Sequence, residues 1–302
     1  MEWVARGQDT VTIFLGIMIE ATPFLVLGVL VSQALALVVR EGEMVSWVPR
    51  GRLESLSALA GLGALFPVCE CGNVPVARRL LSRGVPVAAA MVFLLSAPAL
   101  NPVVALSTYA AFRDQPSIVV LRLLLTFVVA IGVGLLVSFH PRPAELVRGS
   151  GTPVSPEHAA PPPPVGITSV ARRFARGTLA ELVEMGAVLV VGAALAAVTQ
   201  TVVPRVTLLG LGQGPVVSVV AMMALAVILS VCSTVDAFVA LAYAGTFTDG
   251  SLIAFLVFGP MIDIKSILLM LTVFSARTVA LVATLVTEAV LLIGIGLNYW
   301  VG

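Results

Sequence analysis

Long uninterrupted stretches of apolar residues dominate the chain, at 11–39, 118–139, 179–203 and 278–300. None alternates with a period of two, and each is long enough to cross a hydrocarbon core of about 30 Å as a helix. The pattern predicts an all-α polytopic membrane protein of about 8–10 membrane segments. The opening MEWVARGQDT lacks the basic start and short apolar core of a signal peptide, so the first run reads as a retained membrane helix.

Other apolar stretches are interrupted. Residues 56–68 form an arm of about 20 Å as a helix, too short to cross, and it stops at FPVCECGN. A second interruption follows at SAPALNP, and the C-terminal part carries counterparts at CSTVD and GPMID. Irregular backbone survives inside a membrane only where protein or a water-filled cavity covers it.

The interruptions are duplicated. IEATPFLVLG from Ile19 matches VEMGAVLVVG from Val183, with Glu20 over Glu184 and Gly28 over Gly192. VCECGNVPVA from Val68 overlays VCSTVDAFVA from Val231, setting Cys69 on Cys232 and Asn73 on Asp236. FLLSAPALNP from Phe93 overlays FLVFGPMIDI from Phe255, setting Pro98 on Pro260 and Asn101 on Asp263. Polar residues and prolines matching in three blocks at nearly constant offset predict two pseudo-symmetric repeats. Between them, residues 140–166 hold eight of the 19 prolines and no apolar periodicity, the signature of an extended linker. The expected organisation is membrane repeat 1 over 1–139, a Pro-rich cytoplasmic linker over 140–176 and membrane repeat 2 over 177–302.

Arginine placement bears on topology. If 56–82 and 215–247 enter and return as hairpins, each half has three crossings and the repeats are inverted. Arg40, Arg50, Arg52, Arg78, Arg79, Arg83, the linker arginines and Arg277 then share one side, leaving Arg6, Arg113 and Arg205 on the other. The positive-inside rule favours this arrangement over full crossings and parallel repeats. Hairpins at SAPALNP and GPMID would change the count again.

Composition narrows the function. Of 302 residues, 59% are hydrophobic and 11% charged, with a formal net charge of +1; no basic surface interleaved with aromatics exists, which excludes nucleic acid as the expected partner. No GxxxxGK[ST] motif occurs, so an ion or solute gradient must supply any energy for transport. Neither a Ser/His pairing nor HExxH appears, and both histidines lie in or beside the linker, so an enzyme is not expected. No cofactor and no resident metal are expected.

All three cysteines, Cys69, Cys71 and Cys232, fall on the duplicated interruptions. Soft sulfur at the centre of a membrane suits trivalent arsenic, Cu(I) or Zn(II); the plainer alternative is cysteine as a small apolar core residue. Asp236, Asp263, Glu20, Glu184 and Glu288 lie in or beside apolar segments, where a charge costs at least about 2.5–3.5 kcal/mol. Asp236 and Asp263 each replace an asparagine of the first repeat, an asymmetry that fits proton coupling; pairing with Lys265 or capping of a half-helix explains them equally. Asp263 and Lys265 are two apart and do not face each other on a regular helix, so Lys265 is expected to meet a carboxylate of another segment. Glu70, between two cysteines, reads as a ligand, a proton acceptor or an exposed loop tip. Gly72, Asn73, Pro98, Asn101 and Pro260 are expected to line the site at the helix breaks.

PVCECGNVPVARRLLSRGVPVAAAMVFLLSAPALNPVV, with VCSTVDAFVA and FLVFGPMIDIK, resembles the ArsP-like predicted permease family over nearly the whole chain outside the linker. The resemblance implies a multi-pass permease of the bacterial inner membrane. Some relatives export trivalent organoarsenicals such as methylarsenite as proton-linked secondary carriers. It implies that Cys69, Cys71 and Cys232 engage arsenic as the substrate-binding residues; Asp236, Asp263, Glu20 and Glu184, from their own placement in apolar segments, are the candidates for proton coupling or the pathway, with lining of the vestibule or stabilising of helix N-termini the alternative for Glu20 and Glu184. A sensor or scaffold that needs a partner protein is the reading from a different class. The expected partners are a small thiophilic solute and the lipid bilayer, and a homo-oligomer is compatible with both readings.

Overall fold

The computed structural model describes residues 2–38, 49, 51–65, 69–148, 167–202 and 214–300. The tip of the first interruption at 66–68, the bulk of the linker at 149–166, and Arg40, Arg50 and Arg205 lie outside the described residues.

Twelve α-helices occur among the described residues: α1 (Glu2–Val38), α2 (Arg52–Leu65), α3 (Glu70–Ser82), α4 (Val87–Leu100), α5 (Pro102–Ala111), α6 (Pro116–Ser138), α7 (Ile167–Val202), α8 (Val217–Leu229), α9 (Asp236–Tyr243), α10 (Asp249–Met261), α11 (Ile264–Met270) and α12 (Ala276–Trp300). No strand is present among these residues, only an isolated bridge between Val147 and Phe274. Six spans are long and apolar enough to cross a membrane: 7–38, 87–111, 116–138, 168–202, 249–270 and 276–300. With the exposed apolar residues on their outer faces, such as Leu15, Val120, Leu124 and Leu292, they make a multi-pass membrane protein.

The centre is built differently from the rim. Spans 87–111 and 249–270 are mostly buried, whereas the other four keep most of their surface outward, towards lipid. Both central spans are broken. Asn101 takes an extended conformation and caps α5, its Oδ1 accepting from the Val104 amide at 2.9 Å. Asp263 does the same for α11, accepting from the Ser266 amide at 2.6 Å. Each break therefore falls just after the proline predicted to cause it: Pro98 and Pro260 sit within the last turns of α4 and α10.

The short helices α2 and α3, of 14 and 13 residues, have their outer ends at one face, α2 beside the end of α6 and α3 beside the end of α1. The Arg52 guanidinium lies 4.8 Å over the Phe139 ring, which caps α6. At the other end of the pair, Arg83 donates to the Ala36 carbonyl near the end of α1 at 2.6 Å. Glycine permits the close crossing between α1 and α3: a Cβ at Gly28 would collide with the Gly72 carbonyl and lie 2.6 Å from its Cα. α7 runs antiparallel to α1, joined by Thr10 to Thr201 at 3.2 Å near one face and Gln33 to Glu181 at 2.6 Å near the other.

The pair α8–α9 opens to the opposite face. Ser218 at the start of α8 meets Thr248, beyond α9, at 3.1 Å, and Asn298 near the end of α12 donates to the Pro215 carbonyl at 2.8 Å. α12 begins on the linker face, where Thr278 donates to the Leu146 carbonyl and the Arg148 amide to that of Val273, both at 2.9 Å. Arg52, Arg78, Arg79, Arg83, Arg142, Arg148, Arg172, Arg173, Arg176 and Arg277 accordingly gather towards the linker face.

Candidate functional site

Residues 69–71 and the turn at 230–235 meet in the interior. Cys69 is the N-cap of α3 and Glu70 and Cys71 begin that helix, while Cys232 lies in the short non-helical turn between α8 and α9. That turn starts at Ser230, held in the left-handed region at φ +47°, a conformation costly for a residue with a side chain. All three cysteines are free and buried. One donor atom each from Cys69, Glu70 and Cys232 lies within 4.8 Å of the others. Cys71 and the Glu20 carboxylate on α1 lie near this set.

Charge beside the thiols is balanced across elements. Lys265 Nζ on α11 lies 3.6 Å from Glu70 Oε1 and 3.6 Å from Asp263 Oδ2, with all three side chains almost fully buried. Lys265 thus meets a carboxylate of another segment, Glu70, as expected, and Asp263 as well: Asp263 is the extended N-cap rather than a helical residue, so the spacing of a regular helix does not govern it. Glu70 is 5% exposed and helical, which removes the reading as an exposed loop tip.

Several buried polar atoms at this junction have no hydrogen-bond partner: Glu20 Oε1, Glu70 Oε2, both amide atoms of Asn73, Asp263 Oδ2, and the hydroxyls of Ser230, Ser233 and Ser266. Such atoms cost about 1–3 kcal/mol each when left unsatisfied. They concentrate at the breaks, where a polar ligand would satisfy them.

Four predicted site residues are placed differently from expectation. Gly72 and Asn73 lie within the first turn of α3 rather than in the break, and Gly72 packs on Gly28. Glu184 does not join the thiols: it binds Arg78 at 2.8 Å, half-exposed towards the linker face, so its environment differs from that of Glu20. Asp236 is the first residue of α9 and caps nothing; both its oxygens are taken by Arg122 of α6, at 2.9 and 2.6 Å.

A model of a family described as predicted permease, ArsP_1, matches residues 8–299. The chain belongs to the ArsP-type family of predicted permeases. Among similar proteins, UPF0718 protein YcgR of Bacillus subtilis (strain 168) is 40% identical over 280 residues, covering 93% of this chain and 94% of the relative. A protein of Streptococcus mutans serotype c (strain ATCC 700610 / UA159), named putative two-component membrane permease complex subunit, is 34% identical over 265 residues, covering 88% and 87%. No solved structure matches the chain.

For this ArsP-type chain, sequence reasoning missed one residue of consequence. Arg122 is completely buried, and besides Asp236 it donates to Thr108 at 2.8 Å and to the Ser233 carbonyl at 3.3 Å. The available signal was its place inside the apolar run 118–139, because a charge within a membrane span calls for a partner.

Proposed function

We propose that this ArsP-type protein is a secondary permease of the bacterial inner membrane that exports a thiophilic small solute, trivalent organoarsenicals first, by alternating access. The observation that carries the reading is the meeting of Cys69 and Cys232, from two hairpins that open to opposite faces, in one buried site. Two thiols so placed exchange for two hydroxyls of methylarsenite, forming two arsenic–sulfur bonds and releasing two waters. Cys71 stands by as a third thiol. Glu20 and Asp263, beside the thiols and Lys265, and Asp236, on Arg122, are the proposed carriers of the coupling proton; Glu184 lines the cytoplasmic approach.

The organisation supports two inverted repeats. Gly28 packs on α3 and its repeat partner Gly192 on α11, where a Cβ would meet Lys265 Cα at 3.3 Å. Asn101 and Asp263, also repeat partners, cap the two half-helices that follow the breaks. Rocking one repeat against the other would open the shared site to each face in turn.

The test is resistance and accumulation in an export-deficient, arsenic-sensitive bacterium challenged with arsenite, methylarsenite, copper and zinc. Protection against methylarsenite that disappears in Cys69→Ser and Cys232→Ser, at unchanged membrane abundance, is the expected result. A second reading, favoured by the printed name of the Streptococcus relative, is a permease subunit that needs a partner chain. In that case protection requires the partner, which co-purifies with a tagged copy of this chain.

A further inference from the structure

The same junction carries a donor set that arsenic does not use in full. Resting on the reading of Cys69 and Cys232 as a substrate site, we propose that it also takes a divalent cation of the Zn²⁺ or Cd²⁺ class as cargo, with Glu70 as third ligand.

Donors around a tetrahedral ion with bonds of about 2.0–2.3 Å lie roughly 3.3–3.8 Å apart. The donor atoms of Cys69, Glu70 and Cys232 already lie within 4.8 Å of one another, so small side-chain rotations close the cage. Sulfur with carboxylate oxygen is a donor mixture that suits zinc-like ions. One oxygen points to a ligand independently of the thiols: Glu70 Oε2 is buried without a hydrogen-bond partner. Lys265 does not bar the cation, because Asp263, also at 3.6 Å, remains its counter-ion when Glu70 turns to the metal.

Binding balances as M²⁺ plus two thiols giving a metal dithiolate and two protons, so the net charge of the membrane-buried site does not change. Methylarsenite differs, since it leaves as two waters what the cation leaves as two protons. The ligands come from both hairpins, so separating the halves breaks the chelate and frees the ion.

Purified full-length protein in lipid nanodiscs, titrated with Cd²⁺ and separately with methylarsenite, tests this. One equivalent of Cd²⁺ should raise the ultraviolet sulfur-to-cadmium band and release two protons. The band should vanish in Cys69→Ser and Cys232→Ser, and Glu70→Gln should weaken affinity by about tenfold or more, with helical circular dichroism retained. Methylarsenite binding without a cadmium band overturns the inference and leaves the arsenical reading standing. A cadmium band without methylarsenite binding does the reverse, and binding of neither overturns both. A full-affinity Glu70→Gln variant removes Glu70 from the ligand set and with it the proposal as stated.

Discussion

Arg122 and Asp236, 114 residues apart in sequence, form a buried bidentate ion pair that joins α6 to α9. In the sequence match between the two halves Asp236 aligns with Asn73, whose amide has no hydrogen-bond partner. One hairpin is therefore fastened by opposite charges where the other presents a neutral side chain.

Removing one member of this pair leaves a lone buried charge, which costs about 3–5 kcal/mol. Arg122→Met and Asp236→Leu should each lower the thermal unfolding midpoint in detergent strongly, and the double variant should recover much of the loss. A double variant as unstable as the sum of the singles would show that the pair is not a unit.

Gly28 and Gly132 offer a matched test of packing. A Cβ at Gly28 collides with the Gly72 backbone, while one at Gly132 meets nothing within 4 Å. Gly28→Ala should destabilise by about 1–3 kcal/mol, and Gly132→Ala should be neutral, as read from unfolding midpoints. Equal behaviour of the two would contradict the α1–α3 crossing.

The opposed hairpins can be mapped with a membrane-impermeant thiol reagent. Single cysteines at Leu53 and Ser82 should label only from the cytoplasmic side, and those at Pro215 and Thr246 only from the outside. Labelling of Leu53→Cys and Ser82→Cys from different sides would make 52–82 a full crossing.

At the second break, Asp263→Asn preserves an acceptor for the Ser266 amide, as Asn101 does for Val104. Asp263→Ala also loses the cap and should be less stable than Asp263→Asn by about 1 kcal/mol. Equal unfolding midpoints would mean that the side chain contributes charge alone.

Much of this architecture was legible in the sequence because the membrane imposes simple rules on it. Long apolar runs mark the rim helices, a 13-residue arm cannot cross, and breaks at Asn101 and Asp263 follow their prolines. Partners across the fold were harder to read. Arg122 finds Asp236 only once α6 and α9 are brought together, and no local pattern encodes that distance. Asp263 meets Lys265 because the chain is extended at the cap, which helical spacing cannot anticipate. Glu20 and Glu184 occupy matched positions along their helices, yet α1 faces Cys232 while α7 turns Glu184 to Arg78. Repeat alignment fixes position in sequence, and packing decides the neighbour.

The short lengths of α2, α3, α8 and α9 also bear on biogenesis. Segments of 14, 13, 13 and 8 residues are too brief to be handed to the lipid as spans during synthesis. Their place at membrane depth therefore depends on the long helices around them, and the thiols at their ends are enclosed by protein rather than by lipid.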